Sequence, residues 1–192
     1  MGERLANGST GLALLANSIA TGAGLMVLIL TFAPISGAHF NPLVSLVSAS
    51  RGEQSWSEAA AYCAVQTGGA LAGVVCAHLM FGEPVMSWST HARAGGAQIF
   101  SEAVATSGLL VVILLCAKYQ PSRVAYAVGA YIASAYWFTS STSFANPAVT
   151  LARSMTNTFA GIRPGDVPGF LVGQAAGGVG AAWLVRWLVR SE

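Results

Sequence analysis

The sequence predicts an all-α membrane protein: an inverted repeat with five spanning helices and two Asn-Pro half-helices that meet at the bilayer midplane. Three observations carry the prediction. Charge-free stretches are long enough to span, an Asn-Pro box occurs twice, and the helices after the two boxes share matching residues. Of 192 residues, 54% are hydrophobic and 8% charged, against about 25% charged in soluble domains. Mean hydropathy is +0.61. A soluble surface of this size needs more charge for its hydration, so the bilayer is the solvent the composition fits. The formal net charge of +2 gives no electrostatic support for nucleic-acid binding.

The distribution of charge locates the spans. No Lys, Arg, Asp or Glu lies between Arg4 and Arg51, Glu58 and Glu83, Arg123 and Arg153, or Asp166 and Arg186. A spanning helix needs about 20 apolar residues, and each gap holds one. The expected spans are about 10–34, 57–81, 96–117, 123–141 and 167–189. Small residues recur in them, as at Gly68, Gly69, Ala70, Ala72 and Gly73, and at Gly173, Gly177, Gly178 and Gly180. Small residues let helices in lipid approach closely, where no hydrophobic effect drives them together. Met1–Asn7 (MGERLAN) is polar and carries no cleavable leader pattern.

Two segments do not read as spans. These are 36–50 (SGAHFNPLVSLVSAS) and 143–157 (SFANPAVTLARSMTN). Asn is a favoured N-cap, and Pro suits the first helical turn, where its missing N–H costs nothing. Each Asn-Pro therefore starts a short helix at membrane depth, where irregular backbone is tolerated only in protein or along a cavity. Asn41-Pro42-Leu43-Val44-Ser45-Leu46 parallels Asn146-Pro147-Ala148-Val149-Thr150-Leu151, and Gln66 parallels Gln174. Interrupted segments at corresponding places in two halves mark a site at the midplane.

The halves are unequal within one domain, 1–192. Residues 96–192 form a repeat with three spans around its half-helix, and 1–81 form one with two. The third span carries Glu102, and its counterpart is expected before residue 10, on a first helix upstream of Met1. Lys118 and Arg123 fall on the same side as Arg51, Arg186 and Arg190, which reads as cytoplasmic under the positive-inside rule. The C-terminus is then cytoplasmic and Met1 outside.

At this point the residues resemble a family. Ser36-Gly37-Ala38-His39-Phe40-Asn41-Pro42-Leu43 resembles the first Asn-Pro-Ala box of aquaporins, or major intrinsic proteins, with Leu43 in place of Ala. Asn146-Pro147-Ala148 is the second box, unaltered, and Glu102, Gln66 and Gln174 match helix positions typical of the family. The resemblance covers essentially the whole chain. It implies six tilted helices, here lacking the first, in a homotetramer with one pore per subunit. It implies passage of small neutral solutes through a lipid bilayer, with no cofactor, metal or catalysis. Two helix N-termini facing each other would place positive dipole ends at the midplane. The Asn41 and Asn146 amides would re-solvate a hydroxyl solute there, while a cation meets a barrier.

The resemblance also implies a selectivity filter. Counting from the two Asn residues by family spacing gives Thr21, Ser134, Ser143 and Val149. Water-selective members place an aromatic at the first position and Arg at the last, and this chain has neither. The expected ring is wide and mildly polar, without a fixed charge. Similar filters occur in aquaglyceroporin-like channels of bacterial arsenic-resistance operons. That implies glycerol-like polyols and neutral arsenite as solutes beside water, and a bacterial inner membrane as the location. A non-conducting truncated fragment is the alternative.

The remaining polar residues have simpler readings. Glu102, costly in a span, is expected to accept hydrogen bonds from the second half-helix loop. His39 is expected to brace the first loop by a hydrogen bond. Arg153 either lines the outer vestibule or caps and pairs structurally. Arg163 and Asp166 flank a Pro-Gly turn. Trp137, Trp183 and Trp187 are expected to face lipid or the interface. Cys63, Cys76 and Cys116 have no metal-ligand spacing and read as small buried hydrophobes. No nucleophile–base pair stands out, so an enzyme is not expected.

Overall fold

A computed structural model of the chain describes residues 1–189. Arg190, one of the charges used to orient the chain, lies outside the described residues. Those residues form helices and connecting loops, with no strand among them. In chain order the helices are α1 (Gly2–Leu5), α2 (Thr10–Ser36), α3 (Pro42–Ser50) and α4 (Trp56–Phe81). They continue as α5 (Gly96–Tyr119), α6 (Val124–Phe138), α7 (Pro147–Arg153) and α8 (Val167–Val189). Short 3-10 turns, Pro121–Arg123 and Pro164–Asp166, lead into α6 and α8.

Caps fix where the long helices begin and end. The Ser9 hydroxyl accepts from the Leu12 N–H at the start of α2. Ser55 and Glu58 form a reciprocal capping box at the start of α4. Both α2 and α4 stop at a glycine in the left-handed region, Gly37 (φ 71°) and Gly82 (φ 65°). Helix α2 runs past Pro34 to Ser36, beyond the expected end at 34. Pro keeps a helical φ in the last turn, and the stop is set by Gly37 instead.

Four helices are long and apolar enough to cross a membrane: Thr10–Ser36, Trp56–Phe81, Gly96–Tyr119 and Pro164–Val189. The expected span 123–141 is shorter than the sequence suggests. Helix α6 has 15 residues, about 22 Å at 1.5 Å per residue. It ends at Phe138, not 141, because the chain must turn back to reach Asn146. Thr142, Ser143 and Ala145 take positive φ in that return loop. The corresponding loop before Asn41 does the same at Ala38 and Phe40.

Two helix pairs form the frame, α2 with α6 and α5 with α8. Glycines set both crossings. A Cβ on Gly22 would stand 2.8 Å from the Gly129 carbonyl oxygen on α6. On α8, a Cβ on Gly173 or Gly177 would strike the Ile99 or Ala103 carbonyl of α5. Backbone touches backbone at these points, the close approach that holds helices together in lipid. Helix α4 differs, for it packs on the half-helices α3 and α7. Its Gly68, Gly69 and Gly73 face open space.

Candidate pore and its constrictions

The half-helices α3 and α7 touch each other between the two frames. Asn41 caps α3, its Oδ1 accepting from the Leu43 N–H at 3.0 Å. Asn146 caps α7, its Oδ1 accepting from Ala148 N–H at 3.0 Å and Val149 N–H at 3.3 Å. Pro42 and Pro147 occupy the first helical turn in each. The amide nitrogens reach across the repeat. Asn41 Nδ2 donates to the Ala145 carbonyl at 2.7 Å, and Asn146 Nδ2 donates to the Phe40 carbonyl at 2.8 Å. An amide NH2 has two hydrogens, so each Asn keeps one donor beyond this crosslink.

Both Asn residues line a cavity of about 920 Å³. At one end it is bordered by Arg51, Glu53 and Lys118 and at the other by Thr21, Tyr136 and Arg153. Much of the wall between is apolar, including Leu25, Ile29, Val44, Leu110, Val128 and Ile132. Leu43, which departs from the Asn-Pro-Ala pattern, is buried with Val44, Val47, Leu110 and Ala181. Gly178 lies against it, and a Cβ there would stand in ordinary contact, 3.6 Å from Leu43 Cδ2.

The second loop hangs on Glu102, which is fully buried. Its carboxylate accepts from Ser141 Oγ at 2.6 Å, Phe144 N–H at 2.9 Å, Ala145 N–H at 2.8 Å and Gln174 Nε2 at 2.6 Å. Gln174 Nε2 also reaches Thr150 Oγ1 at 2.8 Å. Four donors on one carboxylate are what a buried acceptor of this kind requires. The first loop is held by neutral groups. His39 Nδ1 lies 3.0 Å from Ser45 Oγ, and Gln66 Nε2 donates to the same oxygen at 3.2 Å. Gln66 occupies the place of Gln174 and Ser45 that of Thr150, but among the described residues no carboxylate completes the set. Gln66 Oε1 and Gln174 Oε1 are both buried without a partner.

Three of the four expected filter residues reach the cavity: Thr21, Ser143 and Val149. Ser134 does not. It lies on the exposed stripe of α6 with Tyr126, Ala130 and Trp137, and its hydroxyl turns back to the Ala130 carbonyl at 2.9 Å. The buried face of α6 carries Ala125, Val128, Gly129, Ile132 and Tyr136 instead. Tyr136 takes the position by the cavity. That spacing of three and four was readable in the sequence and separates 136 from 134. Counting back from Asn146 missed it, because a count assumes the shape of the return loop.

Tyr136 links three elements. Arg153 Nη2 donates to its phenol oxygen at 2.8 Å, and Thr21 Oγ1 lies 3.3 Å away. The Arg153 guanidinium also stacks over Phe144, 4.4 Å from the ring centre. Arg93, which the sequence gave no reason to single out, stacks over the same ring at 5.0 Å. Its side chain is buried and donates to the carbonyls of Gly161, Ser141 and Phe159 at 2.8, 3.1 and 3.0 Å. Burial, with Arg153 nearby, pushes Arg93 down to about 10, so it stays charged at neutral pH. It ties the loop after α4 to both segments flanking α7. Trp137, Trp183 and Trp187 are exposed, and Trp137 Nε1 also donates to Ser18 Oγ at 3.0 Å. Arg163 and Asp166 pair across their turn at 2.8 Å.

Comparison with known proteins gives this architecture its context. A sequence model described as "Major intrinsic protein" matches residues 3–125. The chain is 54% identical over 179 residues to aquaglyceroporin AqpS of Rhizobium meliloti (strain 1021), covering 93% of this chain and 77% of that one. It is 32% identical over 175 residues to aquaporin NIP1-4 of Oryza sativa subsp. japonica, covering 86% of this chain and 62% of the relative. Aquaporin NIP1-1 of Zea mays matches at 40% over 65 residues, 23% of its length. With paired Asn-Pro half-helices lining one cavity between glycine-packed membrane helices, the chain belongs to the major intrinsic protein family.

Proposed function

We propose that this multi-pass membrane protein is a passive channel for small uncharged solutes larger than water, namely glycerol-like polyols and neutral metalloid hydroxides such as arsenite, with water beside them. The observation that carries the reading is the cavity itself. It passes two Asn amides with donors to spare and an outer ring where Val149 stands in place of a guanidinium. An oxygen-rich neutral solute regains hydrogen bonds at Asn41 and Asn146. The 54% identity to a protein named an aquaglyceroporin supports solutes of polyol size. The proposed pore residues are Asn41, Pro42, Leu43, Asn146, Pro147 and Ala148, with Thr21, Ser143 and Val149 in the outer ring and His39 and Glu102 supporting the loops. The two repeats are 1–81 and 96–192. A homotetramer in a bacterial inner membrane belongs to the same proposal, and a cytoplasmic C-terminus fits the basic residues Arg51, Lys118, Arg123 and Arg186.

The test is light scattering on proteoliposomes under water, glycerol and arsenite gradients. Glycerol and arsenite flux above the protein-free control is expected. Flux confined to water refutes the wide-ring reading.

A second reading is favoured by α4: the chain is a fragment that does not conduct alone. Gly177 of α8 is pressed against α5, whereas Gly69, its counterpart on α4, faces open space. The proposed pore wall then needs a further helix on that face. Absence of any flux, with flux restored when such a helix is supplied, supports this reading over the first.

A further inference from the structure

Val149 leaves the outer ring without the guanidinium that water-selective relatives carry, yet a guanidinium stands one turn further along the same half-helix. Residues four apart share a helix face, so Arg153 looks into the cavity from the side that presents Val149, and both line it. Its direction is fixed by two contacts. Nη2 donates to the Tyr136 phenol, and the guanidinium plane is held by Phe144. With its oxygen accepting from Arg153, the Tyr136 O–H points on to Thr21 Oγ1, which in turn donates to Asn17 Oδ1 at 3.4 Å. This chain of donors runs from α7 by way of α6 to α2, along the mouth of the cavity.

A further observation concerns charge: among the described residues of the cavity wall, Arg153 has no carboxylate beside it. Among the described residues lining the cavity, the one carboxylate is Glu53, at the opposite end and paired with Arg51 at 2.7 Å. Arg93, over the same Phe144 ring, adds a second positive charge behind Arg153, offset in part by the buried Glu102 carboxylate.

We infer that Arg153, held by Tyr136, is the displaced fixed cation of the outer constriction, and that it donates hydrogen bonds to a small neutral solute bearing hydroxyl groups. The guanidinium has five N–H donors, and one is spent on Tyr136. The remainder are left to serve solute oxygens. A cation of similar size meets the same charge in a desolvated mouth and is repelled. The constriction is thereby wider than one with Arg at position 149, yet still cation-excluding. This inference rests on the channel reading above and deepens it.

The experiment uses the full chain in liposomes, with glycerol and the smaller cation methylammonium as paired probes, so that rejection of the cation is not a matter of size. Wild type, Arg153→Leu, Arg153→Lys and Tyr136→Phe are compared, each first checked for a single folded species by gel filtration. The wild type is expected to pass glycerol and reject methylammonium. Arg153→Leu is expected to raise methylammonium permeation by about tenfold. Arg153→Lys restores the rejection because it restores the charge, which a merely structural loss would not do. Tyr136→Phe, which keeps the ring and frees the guanidinium, gives an intermediate leak. A wild type that passes methylammonium as readily as glycerol overturns the inference without any variant. So does a folded Arg153→Leu that rejects methylammonium as well as wild type does, and the channel reading survives either result. If wild type passes no glycerol, the channel reading fails and the inference falls with it. Should Arg153→Leu fail to fold, an unaltered rejection in Tyr136→Phe together with a leaking Arg153→Lys overturns it.

Discussion

The side-chain amide of Asn41 donates to the carbonyl of Ala145 at 2.7 Å, across 104 residues of sequence. Asn146 returns the bond to Phe40 at 2.8 Å. The acceptors belong to residues held at positive φ, 47° at Ala145 and 45° at Phe40. Each loop is bent so that its carbonyl meets the other half's Asn. The two half-helices therefore fix each other's position as well as their own start.

Replacing Asn41 with Ala removes both this crosslink and the cap on Leu43. A stability loss of about 1–2 kcal/mol is expected, the usual cost of an N-cap together with a buried hydrogen bond. Thermal unfolding in detergent measures it. An unchanged melting temperature would show that the crosslink contributes nothing.

Glu102→Gln exchanges an acceptor for an NH2 that must face other donors. Phe144 N–H, Ala145 N–H, Ser141 and Gln174 all point at this carboxylate. Leaving two or more of them unpaired costs about 3 kcal/mol or more. His39→Ala removes one neutral hydrogen bond from the other loop and should cost about 1 kcal/mol. Chemical denaturation of the two variants side by side tests the order, and a reversed order refutes the unequal support of the loops.

The glycines divide into two groups by what surrounds them. Gly22→Val and Gly177→Val force backbone apart at the α2–α6 and α5–α8 crossings. Loss of folded protein is expected for both, read from the yield of the monodisperse species. Gly69→Ala meets open space in this structure and should leave that yield intact. If Gly69→Ala is as damaging as Gly177→Val, something seats on α4 as tightly as α5 seats on α8.

Val149→Arg puts a second guanidinium one turn from Arg153 at the mouth of the cavity. The ring narrows, and glycerol flux is expected to fall about tenfold while water still passes, as pore diameter dictates. Parallel water and glycerol permeabilities on one preparation decide this. Equal loss of both would place the constriction elsewhere.

Much of this was legible in one dimension. The charge-free stretches, the twice-used Asn-Pro and the paired Gln66 and Gln174 are local patterns with local physical causes. Lipid forbids charges, Asn caps, and Pro starts a helix. Glu102 was readable as an acceptor because a buried carboxylate must find donors and the nearby loop supplies them. These features determined the helical membrane fold, the two half-helices and the two amides facing the pore.

The mouth of the cavity beside Tyr136 was decided by the tertiary structure. A count along the chain put Ser134 in the ring, but α6 ends at Phe138 and its rotation turns Tyr136 inward. Arg153 was balanced between two roles until its guanidinium was placed against Tyr136 and Phe144, groups 17 and 9 residues away in sequence. Arg93 carried no motif at all, and its importance arises from three carbonyls brought around it by two loops, one on each side of α7. The physical reason is common to all three. Helix periodicity and capping act over a few residues and leave a mark in sequence. The rotation of a helix about its axis and the convergence of loops depend on what packs against them, and that is settled only when the whole chain is folded.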